Sequence, residues 1–447
     1  MLCGALALAA MASCSDSPTE TARERLSVAL AADSVFYGRT LAVVVQWPDS
    51  TDSIDPELIT WSSSDTLVAV VDSTGTVLGT GPGVAQVTAR VGDVYGTATV
   101  RVVMRRADGG IEFDRAGHAM LFSQACALTP AGRVYCLDRP PAGDTAPQYI
   151  PVPGGEGFVF TEVGTGFTTE CGLVAGGQLY CWGSNNDWIL GTRVPAQGSE
   201  SPLPVKTELR FSTLAVSGHT YVCAANAADD VVHCWGHGHA NVLGRQSDER
   251  VLPGQDSVIM PVRGDIRARQ ISGGNETVCA LDLLGTPWCW GSQSRRWAHT
   301  TPDVTDRLTP APMAGGRVFT QIAVGDGFAC GLEADGRAYC IGGNGEGQLG
   351  IGTTQPQPDA PAPVAGDLRF RKLWGLSDGP NGFATCGITP DDDLYCWGSI
   401  APEAIATRLG ERRYSPVHVA RGVKFSALSV GAGGWCGVTT DRTIVCW

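Results

Sequence analysis

Between residues 26 and 104, apolar and polar residues alternate and turn residues interrupt them at short intervals. Successive side chains of a strand point to opposite faces, so this pattern predicts short strands with one face on a core and one in water. Strands are expected over 41–45, 68–71, 85–89 and 98–102, with Asp72-Ser73-Thr74-Gly75 and Gly81-Pro82-Gly83 as turns between them. The segment reads as a small antiparallel sandwich.

From residue 105 to 447 the alternation is organised by a longer period, and fourteen of the chain's sixteen cysteines mark it. They fall in seven pairs: Cys126 with Cys136, Cys171 with Cys181, Cys223 with Cys234, Cys279 with Cys289, Cys330 with Cys340, Cys386 with Cys396 and Cys436 with Cys446. Six pairs are ten residues apart and one is eleven, and the first cysteines recur at steps of 45, 52, 56, 51, 56 and 50. Each pair brackets a turn, so each predicts a hairpin, and a further strand led by Phe precedes most pairs. A proline-bearing strand follows six of the seven: Tyr149-Ile150-Pro151-Val152, Pro202-Leu203-Pro204-Val205, Met260-Pro261-Val262, Pro310-Ala311-Pro312-Met313, Pro361-Ala362-Pro363-Val364 and Pro416-Val417-His418-Val419. Proline lacks an N–H and is confined to sheet edges. Seven hairpins with six edge strands leave three endings open: residues 104–111 supply the missing strand, one repeat has three strands, or the chain stops short.

Two resemblances attach to these segments. Ile59-Thr60-Trp61-Ser62-Ser63-Ser64-Asp65, Val68-Ala69-Val70, Gly75-Thr76-Val77 and Gly83-Val84-Ala85-Gln86-Val87-Thr88-Ala89 resemble the bacterial Ig-like group 2 domain (Big2). That resemblance implies a core Trp61, turn glycines and the role of a spacer or adhesive unit. The repeat running from Phe319 through Val324-Gly325-Asp326-Gly327-Phe328-Ala329-Cys330-Gly331-Leu332, Asp335-Gly336 and Tyr339-Cys340 to Gly347-Gln348-Leu349-Gly350 resembles the RCC1 repeat. The expected fold is therefore all-β: an N-terminal Ig-like sandwich at 26–104, then a seven-bladed RCC1-like β-propeller at 105–447 with four strands per blade.

If Cys330 faces Cys340 across an antiparallel hairpin, Leu332 faces Ala338 and Gly336 is free to take positive φ in the turn. Facing Cβ atoms then lie close enough for one disulfide per blade. The alternative, a metal centre, would have two sulfurs per repeat without a CxxC or a partner His, which is too few ligands. Trp182, Trp235, Trp290, Trp397 and Trp447 directly follow the second cysteine, while Leu137 and Ile341 hold the same place. Exchange of Trp for aliphatic residues predicts a buried packing position instead of a stacking platform.

Composition narrows the compartment and the partners. A formal net charge of −13 argues against a nucleic-acid or anionic-membrane surface, because phosphates need clustered Lys and Arg. Residues 1–14 form a short apolar run, too short to span a bilayer and shaped like a secretory signal. Met11-Ala12-Ser13-Cys14 resembles a lipobox, which implies lipidation of Cys14 and a tether over 15–25; an ordinary signal peptide with an incidental Cys14 is the alternative. Without Cys3 and Cys14 the cysteines form an even set, as an oxidising compartment requires. The chain is expected at the cell envelope or secreted, touching a membrane only through the lipid.

The sequence predicts no catalytic, cofactor-binding or metal site: neither a nucleophile elbow, HExxH, a phosphate-binding Gly-Lys-Ser/Thr loop nor an EF-hand is recognised. Three weaker groupings have ordinary explanations. His233, His237 and His239 are expected to be loop histidines, Asp391-Asp392-Asp393 a solvated turn, and Arg295-Arg296-Trp297 an exposed loop open to contact. Eukaryotic RCC1 proteins exchange guanine nucleotides on a small GTPase, a role not expected of an exported acidic chain. The leading expectation is a non-enzymatic display protein that binds a protein or glycan through its propeller loops. An enzyme with its site at the propeller mouth and a structural or adhesive envelope component are the alternatives.

Overall fold

The computed structural model describes residues 25–36, 39–47, 54–107, 110–116, 125–137, 148–166, 168–185, 188–192, 197–216, 221–236, 241–245, 258–291, 309–377, 383–399, 413–431 and 434–446. These residues contain strands and turns, with a 3-10 turn at Pro56–Leu58. Among them no helix is long and apolar enough to cross a membrane.

Two four-stranded sheets form the N-terminal sandwich. One orders Ser27–Leu30, Thr40–Gln46, Thr76–Gly79 and Ala69–Val71; the other orders Ser34–Phe36, Val94–Val103, Gly83–Val91 and Thr60–Ser63. Ala85, Val87 and Ala89 point inward from one long strand, and Val100 and Val102 from its neighbour, all at most 2% exposed. The Trp61 ring lies on Gly75, where a Cβ would come within 2.6 Å of it and φ is +78°. A side chain at that position would displace the Trp, so the turn before Thr76 carries glycine.

Seven further sheets of four strands follow, one per cysteine pair. In blade 5 the strands are Gln321–Gly325, Phe328–Leu332, Ala338–Gly342 and Gln357–Pro363. Cys330 pairs with Cys340 and Leu332 with Ala338. The same facing register recurs in every blade, and a disulfide spans each facing pair. Cys126 is bonded to Cys136, Cys171 to Cys181, Cys223 to Cys234 and Cys279 to Cys289. Cys330 is bonded to Cys340, Cys386 to Cys396 and Cys436 to Cys446. Cα–Cα distances are 4.0 to 4.1 Å throughout, and no bond leaves its own blade. Fourth strands lie at the outer edges and carry Pro151, Pro202, Pro204, Pro261, Pro312, Pro361, Pro363 and Pro416. Residues that cannot donate to a ladder blunt these edges against pairing with other chains.

The ring is closed by the N-terminal stretch. Blade 7 comprises Phe425–Gly431, Gly434–Thr439, Ile444–Cys446 and, as its outer strand, Arg105–Arg106. Its register sets Val445 against Arg106 and Cys446 against Arg105. Of the three endings left open by the sequence, the first is therefore the one found: seven hairpins have seven edge strands, the seventh taken from the start of the repeats.

One bond recurs at every junction between blades. The hairpin after each second strand ends in a residue of positive φ: in blade 5, Gly336 N–H donates to Glu333 O at 3.0 Å and Gly336 has φ +82°. The carbonyl of that residue accepts the amide leading the next blade. Phe160 donates to Gly132, Phe211 to Gly177, Ala268 to Asp230, Phe319 to Gly285, Phe370 to Gly336, Phe425 to Asp392 and Phe113 to Arg442, all at 2.7 to 2.9 Å. All seven acceptors have φ between +62° and +91°. The leading Phe folds back on its own blade's second strand: a Cβ on Gly331 would sit 2.4 Å from the Phe319 ring, and Gly172, Gly387 and Gly437 meet Phe160, Phe370 and Phe425 in the same way.

Gly331→Ala is expected to lower unfolding free energy by about 1–3 kcal/mol through overpacking against Phe319. Gly345→Ala, where a Cβ meets nothing within 4 Å, is the neutral control in the same denaturant titration. All fourteen paired cysteines are at most 5% exposed, so reductant with an alkylating probe should label them only under conditions that open the blades.

Candidate functional site at the loop-bearing end

Antiparallel order within a blade sorts the connections to two ends. First-to-second turns and third-to-fourth connections lie at one end; the second-to-third hairpins and the junction bonds lie at the other. The first strands of neighbouring blades pack on one another around the axis, so the first-to-second turns rim the mouth of the central channel. The third-to-fourth connections at the same end span 138–148, 184–198, 237–259, 291–310, 343–356 and 399–412, and their varied lengths contrast with the near-uniform hairpins opposite.

Buried polar side chains hold the bases of these connections. Asn344, 1% exposed, accepts Leu349 N–H at 3.0 Å and donates to Thr353 O and Gln355 O at 2.8 and 2.9 Å. Asn185 does the same in blade 2, accepting Leu190 N–H and donating to Thr192 O. The tryptophans after the second cysteine then reach into the neighbouring blade's connection. Behind Cys234, Cys289 and Cys396, Trp235 Nε1 donates to Ile189 O at 3.0 Å, Trp290 Nε1 to Val242 O at 2.7 Å and Trp397 Nε1 to Gln348 O at 2.9 Å. Trp182, which follows Cys181, is buried like these three, as are Leu137 after Cys136 and Ile341 after Cys340. The indole N–H makes each of the three bonded tryptophans a clamp as well as core, a role its neighbourhood in sequence does not display.

Glutamines add a second stitch on the inner strands. Gln270 of blade 4 donates to Ile322 O and accepts Ile322 N–H, both at 3.0 Å. Gln321 of blade 5 repeats this on Leu373 at 2.8 and 3.0 Å. The matching positions in other blades are Arg115, Glu162, Thr213, Lys372 and Ala427, and between blades 2 and 3 the Thr213 hydroxyl donates to Glu162 Oε1 at 3.4 Å.

Two carboxyl groups at this end are perturbed. Asp326, in the tight turn between the first two strands of blade 5, has its pKa raised by burial and then by the charge of Glu276 from blade 4, against a backbone hydrogen bond from Glu276 that lowers it. Glu170 directly precedes Cys171, in a register occupied elsewhere by Ala125, Val222, Val278, Ala329, Thr385 and Trp435. It is 4% exposed, and burial pushes its carboxyl up to about 8. Thr385, in the same register, reaches blade 5, where its hydroxyl donates to Gln348 O at 2.7 Å. Strand alternation likewise turns Glu170 toward blade 1.

Most residues singled out in the sequence prove structural. His233 is buried, with Nδ1 2.9 Å from Val231 O; His237 and His239 lie outside the described residues. Asp392 occupies the positive-φ place of the blade 6 hairpin and pairs with Arg371 at 2.7 Å. Asp393 takes Lys424 Nζ at 2.8 Å and has His418 Nε2 at 3.3 Å, off the line of a hydrogen bond. The triplet thus ties blade 6 to blade 7. Cys14, Arg295-Arg296-Trp297 and Trp447 lie outside the described residues. Among the described residues no cluster of three or more His, Cys, Asp or Glu side chains could hold a metal ion.

One string was missed in the sequence. Gly375-Leu376-Ser377-Asp378-Gly379 has the letters of a nucleophile elbow. Gly375, Leu376 and Ser377 end the antiparallel strand Lys372–Ser377, whereas an elbow requires a turn from a strand into a helix. At the opposite end of the ring, Leu283 and Leu284 in the blade 4 hairpin are 52% and 85% exposed. With Val318 and Phe319 they line an open groove of about 520 Å³.

Between pH 4.5 and about 8 the folded chain keeps the Glu170 proton that the unfolded chain releases. Stability from this residue is therefore highest below pH 4.5, falls as pH rises through that window and is flat above it. Glu170→Gln should unfold at a higher temperature than the parent at pH 8, with the difference vanishing near pH 4, in paired thermal melts.

The family described as Regulator of chromosome condensation (RCC1) repeat matches residues 319–348, and Bacterial Ig-like domain (group 2) matches residues 28–102. The human Regulator of chromosome condensation is 24% identical over 297 residues, 61% of this chain and 68% of that protein. The human E3 ubiquitin-protein ligase HERC2 is 29% identical over 213 residues, 44% of this chain. The matched segment spans only 4% of HERC2. Among solved structures, Prp20p from Saccharomyces cerevisiae superposes with a TM-score of 0.57 at 20% identity, covering 74% of this chain and 82% of that one. Human WBSCR16 gives 0.58 at 14%, covering 80% and 90%. These likenesses agree with the seven four-stranded sheets and their shared register, and the chain carries a group 2 bacterial Ig-like domain followed by a β-propeller of RCC1 type.

Proposed function

We propose that the chain is an exported, surface-anchored and non-enzymatic binding protein whose loop-bearing end takes a protein or glycan partner. The observation that carries this reading is the difference between the two ends of the ring. Hairpins at one end are short and locked by seven backbone bonds, while connections at the other vary in length over clamped bases. A rigid scaffold with variable loops on one face is the usual layout of a recognition surface. The yeast Prp20p structure is described with its binding to Gsp1p and histones, and a second with Kap60 bound to it, so a propeller of this type has protein partners. Seven buried disulfides support an oxidising compartment, and the leader over 1–14 with Cys14 supports export and a lipid anchor. Guanine-nucleotide exchange does not suit that compartment.

A second reading, an enzyme at the channel mouth, draws on the Asp326 and Glu276 carboxyls, because a raised carboxyl beside a charged one can divide acid and base roles. Asp326→Asn separates the two: partner capture persists under the binding reading, and any hydrolytic activity found is lost under the enzymatic one.

The test is capture from native envelope with the chain and two variants. Replacing 292–308 and 400–412 by short Gly/Ser segments should abolish capture of a defined partner and leave the thermal transition unchanged. Leu284→Asp, at the opposite end, should leave capture intact. Retention by the loop variant with loss in Leu284→Asp overturns the assignment of the loop-bearing end.

A further inference from the structure

We propose that the Ig-like domain is the clasp of the propeller: it holds the strand that closes the ring, so that sandwich and seam open together. The inference stands apart from what the ring binds. Blades 1 to 6 are each built from consecutive strands, whereas blade 7 joins residues 425–446 to Arg105–Arg106 without covalent continuity. The seam is therefore the one place where a blade is held together by strand pairing with no hairpin or loop running from one strand to the next.

Among the described residues, the strand pairing at the seam is short. Two residues pair with Val445 and Cys446. Ala107 N–H donates to Ile444 O at 3.1 Å, Tyr149 N–H to Ala107 O at 3.0 Å and Phe113 N–H to Arg442 O at 2.8 Å. The Arg442–Glu112 ion pair is exposed on both sides, at 3.4 Å, and such pairs contribute little. A strand this short on a flexible leader would lose its chain entropy for few bonds.

The leader here is not flexible. Strand Val94–Val103 belongs to the sandwich, strand Arg105–Arg106 belongs to blade 7, and Met104 alone separates them. Buried side chains run on without a break, from Val87, Val100 and Val102 of the sandwich through Ala107 and Phe113 to Val445 and Cys446, with Met104 and Ile111 packed against them. An ordered sandwich thus delivers residues 105–107 to the seam already placed, which raises their effective concentration there. A spacer strung on a linker would share neither a strand path nor a core with the blade.

Hydrogen exchange of the full chain with disulfides intact tests the clasp, reading residues 105–113 and 444–446 against strands 278–282 and 328–332. Inserting a Gly/Ser stretch of about 12 residues after Met104 changes no core residue. It should speed exchange at the seam at least about tenfold while 83–91 and blades 4 and 5 keep their protection. Val87→Asp, buried in the sandwich, should open 83–91, 94–103 and the seam together and spare blades 4 and 5. Unchanged seam exchange in the insertion variant overturns the proposal, and that variant decides if Val87→Asp fails to fold.

Discussion

A backbone carbonyl handed from one blade to the next is the constraint on which the rest of the ring depends. Each hairpin ends in a residue of positive φ, whose C=O accepts the first amide of the following blade. Making that bond fixes where the leading Phe sits, and the Phe in turn requires glycine opposite it at positions 172, 331, 387 and 437. The acceptor need not be glycine: Asp230, Asp392 and Arg442 adopt the conformation too, at the steric cost that L-residues bear there. Blade 3 shows which part of the geometry is kept when the loop changes. Its hairpin is one residue longer, Cys223 and Cys234 being eleven apart instead of ten, and it still presents Asp230 O to Ala268 N–H.

The disulfides and the indole clamps act around this frame at different ranges. A Cys pair secures two strands of one blade, the turn carbonyl and glutamine stitches secure inner strands between blades, and Trp Nε1 secures the loop bases. Because every loop base so clamped is tied down, length can vary beyond it without disturbing the register. Glu170 is the exception in this apolar lattice. A carboxyl stands where other blades place Ala, Val, Thr or Trp, and it stays largely protonated at neutral pH because charging it there would require solvation that the blade interface lacks.

Much of this was legible in the chain. Register is one-dimensional information, so the spacing of Cys330 and Cys340 around Asp335-Gly336 sufficed to place Leu332 opposite Ala338. The same spacing served for Cys126 and Cys136, Cys171 and Cys181, Cys279 and Cys289, and Cys386 and Cys396, which face each other in the same way. The proline-bearing edges were readable for the same reason. Bonds between blades were not, since backbone groups have no letters and Gln270 resembles any surface glutamine until Ile322 is beside it. Residues 104–111 stood as one of three endings and could not be singled out, because two charged residues at 105 and 106 carry no strand pattern and only the closed sheet gives them a partner. At the functional end the sequence was weakest: Asp326 and Glu276 are fifty residues apart and meet only when two blades stand side by side, and the elbow-like letters around Ser377 lose their meaning in an antiparallel strand.

Ring closure by residues 105–106 also sets an order of events. During synthesis these residues emerge before every blade, while their partners at 444–446 emerge after the first six blades are complete. The longest-range pairing in the propeller is therefore also the slowest to become available. Until then the strand's hydrogen-bonding groups have no mate, and an unpaired edge is an invitation to other chains. All strands of the sandwich lie within residues 27–103, so under the proposed clasp it can form before any blade is made and would keep that waiting strand short and anchored through blade assembly, a chaperone in cis for the seam it later completes.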